Sequence, residues 1–62
     1  MDFSDALRAM KDGKKVRHPG MSKGTYYLSD GTKIKYAVSD RNIITAMPSN
    51  FEIMKNDWEV VD

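Results

Sequence analysis

Residues 47–61, near the end of the sequence, contain its strongest local signals and its only tryptophan. Ser49 followed by Glu52 predicts a capping box, in which each side chain accepts a hydrogen bond from the other residue's backbone N–H. A short helical turn should therefore begin here. Residues 57–61 then predict a closing strand. We interpret Trp58 as a core anchor of this strand rather than as a surface for a ligand.

The first part of the chain predicts an amphipathic helix over residues 3–11. Its apolar residues recur at the i, i+3, i+4, i+7 spacing that places them on one buried face. Ser4 is the predicted N-cap, and Gly13 is the predicted left-handed residue that ends the helix. The residues of the apolar face are Phe3, Ala6, Leu7 and Met10.

The middle of the chain predicts an antiparallel meander. Residues 14–18 predict a short first strand, and their charge predicts an edge position. Residues 24–38 predict a β-hairpin around the Asp-Gly pair at 30–31. A second turn at 39–42 leads to a third strand at 43–47. We therefore expect one small α+β domain over the whole chain, with the N-terminal helix packed on an antiparallel sheet made of the meander and the C-terminal strand.

The lengths of the two turns decide which side chains share a face of this sheet. A two-residue loop at 30–31 pairs Tyr27 with Ile34, and a four-residue second turn pairs Val38 with Ile43. A three-residue first loop with a bulge would instead move Tyr26 and Leu28 into the core. In the first case the helix side carries Tyr27, Ile34, Tyr36, Val38, Ile43 and Met47, and the other side carries Tyr26, Leu28, Lys33, Lys35, Ala37, Ile44 and Ala46.

That second side is neither clearly polar nor clearly apolar. A sheet with one face in water normally alternates more cleanly. We therefore expect this side to be covered, either by another subunit or by the C-terminal segment of the same chain. A homo-oligomer is also expected because small domains without staples often gain burial by association.

Composition excludes several classes of function. The 62 residues include no cysteine and one histidine, so disulfides are excluded, and we expect neither a metal site nor a cofactor. The net charge of +1 gives no bulk attraction to nucleic acid or to an anionic membrane. Because the sequence lacks an apolar run of the roughly 20 residues that cross a bilayer, we expect a cytoplasmic protein.

Catalysis is not indicated by any constellation of residues. His18 has no sequence motif that supplies it with a base or nucleophile partner. Asp57 and Glu59 are two residues apart on the closing strand and could be considered as a pair of catalytic acids. Charged side chains at such positions, however, commonly serve solubility. The four glycines are spaced as separate turns rather than as a phosphate-binding loop. The sequence therefore predicts a protein that is not an enzyme.

Binding is better supported, because cations and aromatic residues are close together after the first strand. Arg17, His18 and Lys23 flank the turn that precedes Tyr26, and cations beside aromatic rings suit a phosphate-bearing ligand with a stackable base. The alternative is that the cations only solubilise a strand while the tyrosines pack. Ser49 and Asn50 at the start of the helical turn could also bind an anion, although the capping box already uses Ser49.

Both ends of the chain resemble a known family, the second Thoeris anti-defence family of small phage and prophage proteins. The matching residues are Met1-Asp2-Phe3-Ser4-Asp5-Ala6-Leu7 and Met10-Lys11-Asp12-Gly13-Lys14-Lys15-Val16 at the start, and Met47-Pro48-Ser49-Asn50, Glu52-Ile53-Met54 and Asp57-Trp58-Glu59-Val60-Val61 at the end. The resemblance implies oligomers whose pockets sequester cyclic nucleotide signals of bacterial immunity without cleaving them. Some relatives have also been described as anti-CRISPR proteins.

Two departures from the family pattern affect the expected ligand. Met21 follows Gly20 where the family usually has a tryptophan, and methionine stacks less well on a base. The segment between the hairpin and the C-terminal motif is also shorter than usual. We therefore expect a phage counter-defence protein that sequesters a cyclic nucleotide in the bacterial host cytoplasm, or alternatively a protein–protein inhibitor of a host defence complex or nuclease. The candidate ligand-binding residues are Arg17, His18, Met21, Lys23, Tyr26, Ser49 and Asn50.

Overall fold

The computed structural model describes residues 1–61. An N-terminal helix, a short second helix and a five-stranded antiparallel sheet form an α+β fold, which confirms the predicted fold class. The strand order is β4-β3-β2-β1-β5. In chain order the elements are α1 (Phe3–Lys11), β1 (Lys15–Arg17), β2 (Tyr26–Ser29), β3 (Ile34–Ser39), β4 (Asn42–Thr45), α2 (Asn50–Ile53) and β5 (Glu59–Val61). Within this described part, no helix has the length and apolar character needed to cross a bilayer.

Helix α1 begins two residues earlier than its predicted cap requires. Asp2 is the N-cap, and its carboxylate accepts a hydrogen bond from the backbone N–H of Asp5 at 3.0 Å. The prediction of Ser4 as the N-cap is therefore wrong, because Ser4 already lies within the first helical turn. Gly13 has a φ of +86°, which confirms the predicted left-handed end of the helix.

Strand β1 lies inside the sheet, between β2 and β5. Val16 is opposite Tyr27 on one side and Val60 on the other. The predicted edge position is therefore wrong. The sheet accepts a charged strand there because Lys15 and Arg17 alternate with buried Val16, so that both cations lie on the opposite face from the core.

The first hairpin has a four-residue loop over residues 30–33. Tyr27 is opposite Tyr36 and Ser29 is opposite Ile34, so the predicted Tyr27–Ile34 pair is wrong. The Asp30 carboxylate accepts hydrogen bonds from the backbone N–H groups of residues 32 and 33, each at 2.9 Å, and thereby closes the longer loop. These bonds also hold the pKa of Asp30 well below its usual value. Because the loop is longer by an even number of residues, Tyr27, Ile34 and Tyr36 still lie on the helix side.

The second turn is shorter than expected and is preceded by a bulge. Ala37 is opposite Ile43 and Ser39 is opposite Asn42, so Val38 is an extra residue on β3. The predicted Val38–Ile43 pair is therefore wrong, and Ile43 and Ile44 exchange their predicted faces. Ile44 is opposite Tyr36 on the helix side, while Ile43 is opposite Ala37 on the other side.

The core lies between α1, the sheet and the segment before β5. Trp58 is 2% exposed and is among the largest fully buried side chains, in agreement with its interpretation as a core anchor. Its ring meets those of Phe3 and Tyr27, with centroids 5.5 Å and 5.8 Å away. The buried cluster comprises Ala6, Met10, Val16, Tyr27 and Trp58.

The C-terminal segment packs on the same side of the sheet as α1. Helix α2 contacts the sheet through Glu52, whose carboxylate binds the hydroxyl of Tyr27, a core residue. Helix α2 therefore does not cover the opposite side, which we call the open face. Strand alternation places Lys15, Arg17, Tyr26, Leu28, Lys35, Ala37, Ile43 and Thr45 on this open face.

Candidate functional site

The carboxylate of Glu52 joins three parts of the chain at one point. Its Oε2 accepts a hydrogen bond from His18 Nε2 at 2.8 Å, and both of its oxygens lie 3.2 Å from the hydroxyl of Tyr27. The backbone N–H of Ser49 donates to Oε1 at 3.0 Å, and the indole N–H of Trp58 donates to the backbone carbonyl of Glu52 at 3.0 Å. We call these five residues the Glu52 junction.

The electrostatics of the junction favour an ionised Glu52 beside a neutral Tyr27. Burial opposes the charge of Glu52, but hydrogen bonds from His18, Ser49 and Tyr27 outweigh it and lower the pKa of this carboxyl. Burial, followed by the negative charge of Glu52, raises the pKa of Tyr27 to about 12. The junction is thus a negative charge held by several hydrogen-bond donors, which suits a structural role.

His18 is buried within this junction rather than presented to a ligand. Its side chain meets Trp58 edge to face, with ring centroids 4.8 Å apart, and only 4% of the residue is exposed. Since Nε2 donates to Glu52, Nδ1 is the free ring nitrogen, and within residues 1–61 it is buried without a hydrogen-bond partner. A Cβ added at Gly20 would lie 3.3 Å from this Nδ1.

The loop after β1 brings three of the predicted residues together. The guanidinium of Arg17 donates to the backbone carbonyl of Met21 at 3.2 Å, and the sulfur of Met21 lies 3.5 Å from the backbone nitrogen of His18. The Met21 side chain also packs against the buried core. Lys23 lies on the exposed part of the same loop. Met21 therefore contributes more to holding this loop than to offering a flat surface for a base.

Tyr26 lies on the open face beside Lys15, a cation of the first strand. The ammonium of Lys15 is 4.8 Å from the centroid of the Tyr26 ring. The Tyr26 hydroxyl donates to Asp40 at 2.8 Å, and that hydrogen bond, with a smaller effect of burial, raises the pKa of Tyr26. Lys15 and Arg17 are two residues apart on one strand, so the sequence indicates that they share a face of the sheet. In the structure, Tyr26 lies on the same face.

The start of α2 is built as the sequence predicts. Ser49 and Glu52 form the reciprocal capping box, which confirms that prediction. Asn50 is exposed beside Phe51 and Met54, whose side chains are 87% and 83% exposed. Together with Lys55, these three residues line a shallow depression of about 500 Å³. Phe51 and Met54 are the most exposed of the large apolar side chains.

The predicted residues thus form two groups rather than one pocket. Arg17, His18 and Met21 meet in the loop after β1, and His18 is linked to Ser49 through Glu52. Tyr26 lies on the open face, on which Arg17, the last residue of β1, also lies. Glu52 was recognised only as half of a capping box, because its contacts with residues 34 and 25 positions away carry no local signal. Over residues 1–61, no three His, Cys, Asp or Glu side chains are grouped to hold a metal ion.

Comparison with known proteins gives one result that identifies the chain. No curated protein matches the sequence. The model of the Tad2-like family, described as the Thoeris anti-defense 2-like domain, matches residues 1–61. This match spans both end motifs, the hairpin and the short middle segment, and so includes every element of the fold. The chain therefore belongs to the Tad2-like family of Thoeris anti-defense 2-like domains.

Proposed function

We propose that the protein binds and sequesters a cyclic nucleotide signal of bacterial immunity, without chemically altering it, in the cytoplasm of an infected host. The observation that carries this proposal is the family match over residues 1–61. Membership of an anti-defense family supports a counter-defence role. The finer statement, that the target is a cyclic nucleotide, is supported by the cations and aromatic ring of the open face.

Arg17, Lys23 and Tyr26 are the proposed ligand contacts, assisted by Lys15. A guanidinium is suited to bidentate hydrogen bonding with a phosphate, and the Tyr26 ring offers a surface for a base. Asn50 is exposed on α2, on the helix side of the sheet, and is therefore not among the proposed contacts of the open face. His18, Met21 and Ser49 are proposed to shape the site from behind, because their polar atoms are used in contacts within the chain.

A second copy of the chain would complete such a site. The open face carries three half-buried cations, Lys15, Arg17 and Lys35, together with half-buried Tyr26 and Leu28. One copy presents this face as a flat surface, whereas small-molecule sites are concave and bury most of their ligand. We therefore propose a homo-oligomer in which two copies enclose the ligand.

Isothermal titration calorimetry with a panel of cyclic dinucleotides and cyclic ADP-ribose isomers tests this proposal. We expect one ligand class to bind, and to raise stability by about 2.7 kcal/mol at a hundred times its dissociation constant. Tyr26→Ala should weaken binding by about 5- to 150-fold, since stacking on an aromatic ring contributes about 1–3 kcal/mol per base. Tyr36→Ala is the matched control on the helix side. Silence across the panel, or equal losses in both variants, would contradict the proposal.

The exposed side chains of α2 favour one alternative, a protein–protein inhibitor. Phe51 and Met54 lie on a helical turn fixed by the capping box and the Glu52 junction. Rigidly held, exposed aromatic residues are typical of binding hot spots. Under this alternative, F51A/M54A would abolish recovery of a stoichiometric host partner while M47A would retain it. If the wild-type chain recovers no such partner, the alternative is set aside.

A further inference from the structure

The helix side of the sheet is only partly covered by α1. A helix with its side chains is about 10–12 Å wide, whereas five strands about 4.8 Å apart span about 19 Å between the first and the last. Helix α1 packs on β1, β2 and β5. It therefore leaves a trough over β3 and the end of β4, next to the hairpin loop.

The trough is a cavity of about 410 Å³ with an apolar floor and a cationic rim. Leu7, Ile34 and Met47 are the apolar residues of its lining, and Lys11 and Lys33 are its two cationic residues. Among residues 1–61, no aspartate or glutamate lines it. The acidic residue of the adjoining loop, Asp30, instead accepts hydrogen bonds from its own loop and lies 3.5 Å from the ammonium of Lys35.

Lys11 and Lys33 differ from three other lysines of the chain in having no ion-pair partner within residues 1–61. Lys15, Lys35 and Lys55 each have a carboxylate oxygen within 4.0 Å. For Lys11 and Lys33, residues 1–61 provide no such ion pair. Two unpaired cations beside apolar surface, without a competing carboxylate in the walls, are complementary to a ligand that combines an apolar body with negative charge.

We propose that this trough binds a small organic anion, with its apolar body on Leu7, Ile34 and Met47 and its charged group at Lys11 and Lys33. The volume of about 410 Å³ lies within the range of about 300–1,000 Å³ typical of small-molecule sites. This site goes beyond the proposed sequestration function. It lies on the helix side of the sheet, away from Arg17 and Tyr26, and does not require its ligand to be an immune signal.

Titration of the full chain with 8-anilinonaphthalene-1-sulfonate tests the proposal, because this probe joins an aromatic body to one sulfonate. We expect saturable one-site binding that K11Q/K33Q weakens by about tenfold or more, given that charge-assisted hydrogen bonds each contribute about 1.5–3 kcal/mol. K14Q/R41Q is the matched control, because it removes the same charge from exposed residues outside the trough. The control should change the dissociation constant by less than about twofold, as expected from weak screened surface charges.

A second variant separates the trough from the exposed side chains of α2. F51A/M54A should leave the probe's dissociation constant unchanged, whereas M47A should weaken binding. Amide chemical shifts of the wild-type chain give an independent map and should move at Leu7, Ile34 and Thr45. The proposal is overturned by absent saturation, by equal losses of affinity in K11Q/K33Q and K14Q/R41Q, or by chemical-shift changes centred on α2.

Discussion

Glu52 is a residue whose carboxylate makes hydrogen bonds to two distant parts of the chain. The capping box that it forms with Ser49 was predictable, because both partners lie within four positions of the chain. Its bonds to His18 and Tyr27 connect residues 34 and 25 positions apart. Sequence patterns report local periodicity and local hydrogen bonding, so a carboxylate shared between a loop, a strand and a helical turn could not be read from them.

Replacing Glu52 by glutamine tests whether its charge stabilises the fold. Glutamine keeps the size of the side chain but offers an amide NH₂ where Oε1 or Oε2 now accepts a bond. We expect E52Q to lower the free energy of unfolding by about 1.5–3 kcal/mol, the range for hydrogen bonds to charged groups. Urea denaturation measures this, with E59Q on exposed β5 as the control, expected within about 0.5 kcal/mol of the wild type. Equal stability of E52Q and the wild type would contradict the role assigned to the junction.

The same carboxylate predicts a pH dependence of stability. The pKa of Glu52 is lowered in the folded chain relative to its ordinary value, so the unfolded chain binds the proton more readily. Its stabilising contribution is therefore complete above the ordinary carboxyl pKa and is lost as the pH falls through the lowered folded value. The difference in stability between wild type and E52Q should shrink as the pH falls from neutral into this acid range. If the difference in stability between wild type and E52Q grows on acidification, the lowered pKa assigned to Glu52 is contradicted.

At the scale of elements, helix α1 shows where local signals suffice and where they do not. Its apolar periodicity and its terminal glycine predict the body and the end of the helix correctly. Asp2 and Ser4 are both good N-cap residues, and the sequence alone does not distinguish them. The structure selects Asp2, and the chain before it is tied to the core by two backbone hydrogen bonds of 2.9 Å between Met1 and Trp58.

The two candidate caps can be separated by matched substitutions. D2A should destabilise the protein by about 1 kcal/mol, because it removes the acceptor for the backbone N–H of Asp5. S4A should be neutral or slightly stabilising, since Ser4 lies within the helix and alanine has the higher helix propensity. For a domain of this size, about 1 kcal/mol corresponds to a change in melting temperature of about 4–8 °C. A larger drop in melting temperature for S4A than for D2A would contradict the assignment of Asp2 as the N-cap.

The strand pairing was likewise predictable from local signals in part only. The two hairpin turns and the closing strand were predictable because glycine, aspartate and alternating apolar residues mark them locally. The central place of β1 was not, because it depends on β5 arriving from the other end of the chain to pair with Lys15, Val16 and Arg17. The registers were missed for a related reason: side-chain hydrogen bonds of Asp30 lengthen one loop, and the bulge at Val38 changes the second turn.

At the scale of the whole molecule, the open face is the feature on which the proposed oligomer depends. The mixed character of this face was predicted, and the C-terminal segment does not cover it. The candidate binding residues were chosen by chemistry along the sequence. The structure divides them between the loop after β1 and the open face because adjacent residues of a strand point to opposite sides. From the sequence alone, only residues two positions apart on one strand, such as Lys15 and Arg17, could have been assigned to the same face of the sheet.

An oligomer formed through the open face predicts a mass above that of one chain. Light scattering after size-exclusion chromatography should give a multiple of 7.1 kDa for the wild type. L28K should shift the population toward one chain, because it places a charge in the apolar part of the proposed interface. M54K adds the same charge on α2 and should keep the wild-type mass. A wild-type monomer at high concentration, or equal effects of both variants, would contradict assembly through this face.

Sequestration without chemical change is the central claim, and one release measurement tests it most directly. The chain is incubated with a signal that it binds in calorimetry, the unbound fraction is quantified by mass spectrometry, and the protein is then denatured and the ligand quantified again. The account predicts that the signal disappears from the unbound fraction in proportion to added protein and returns after denaturation with its mass and retention time unchanged. A signal that remains unbound throughout, or one that returns as a cleaved or modified product, would contradict it.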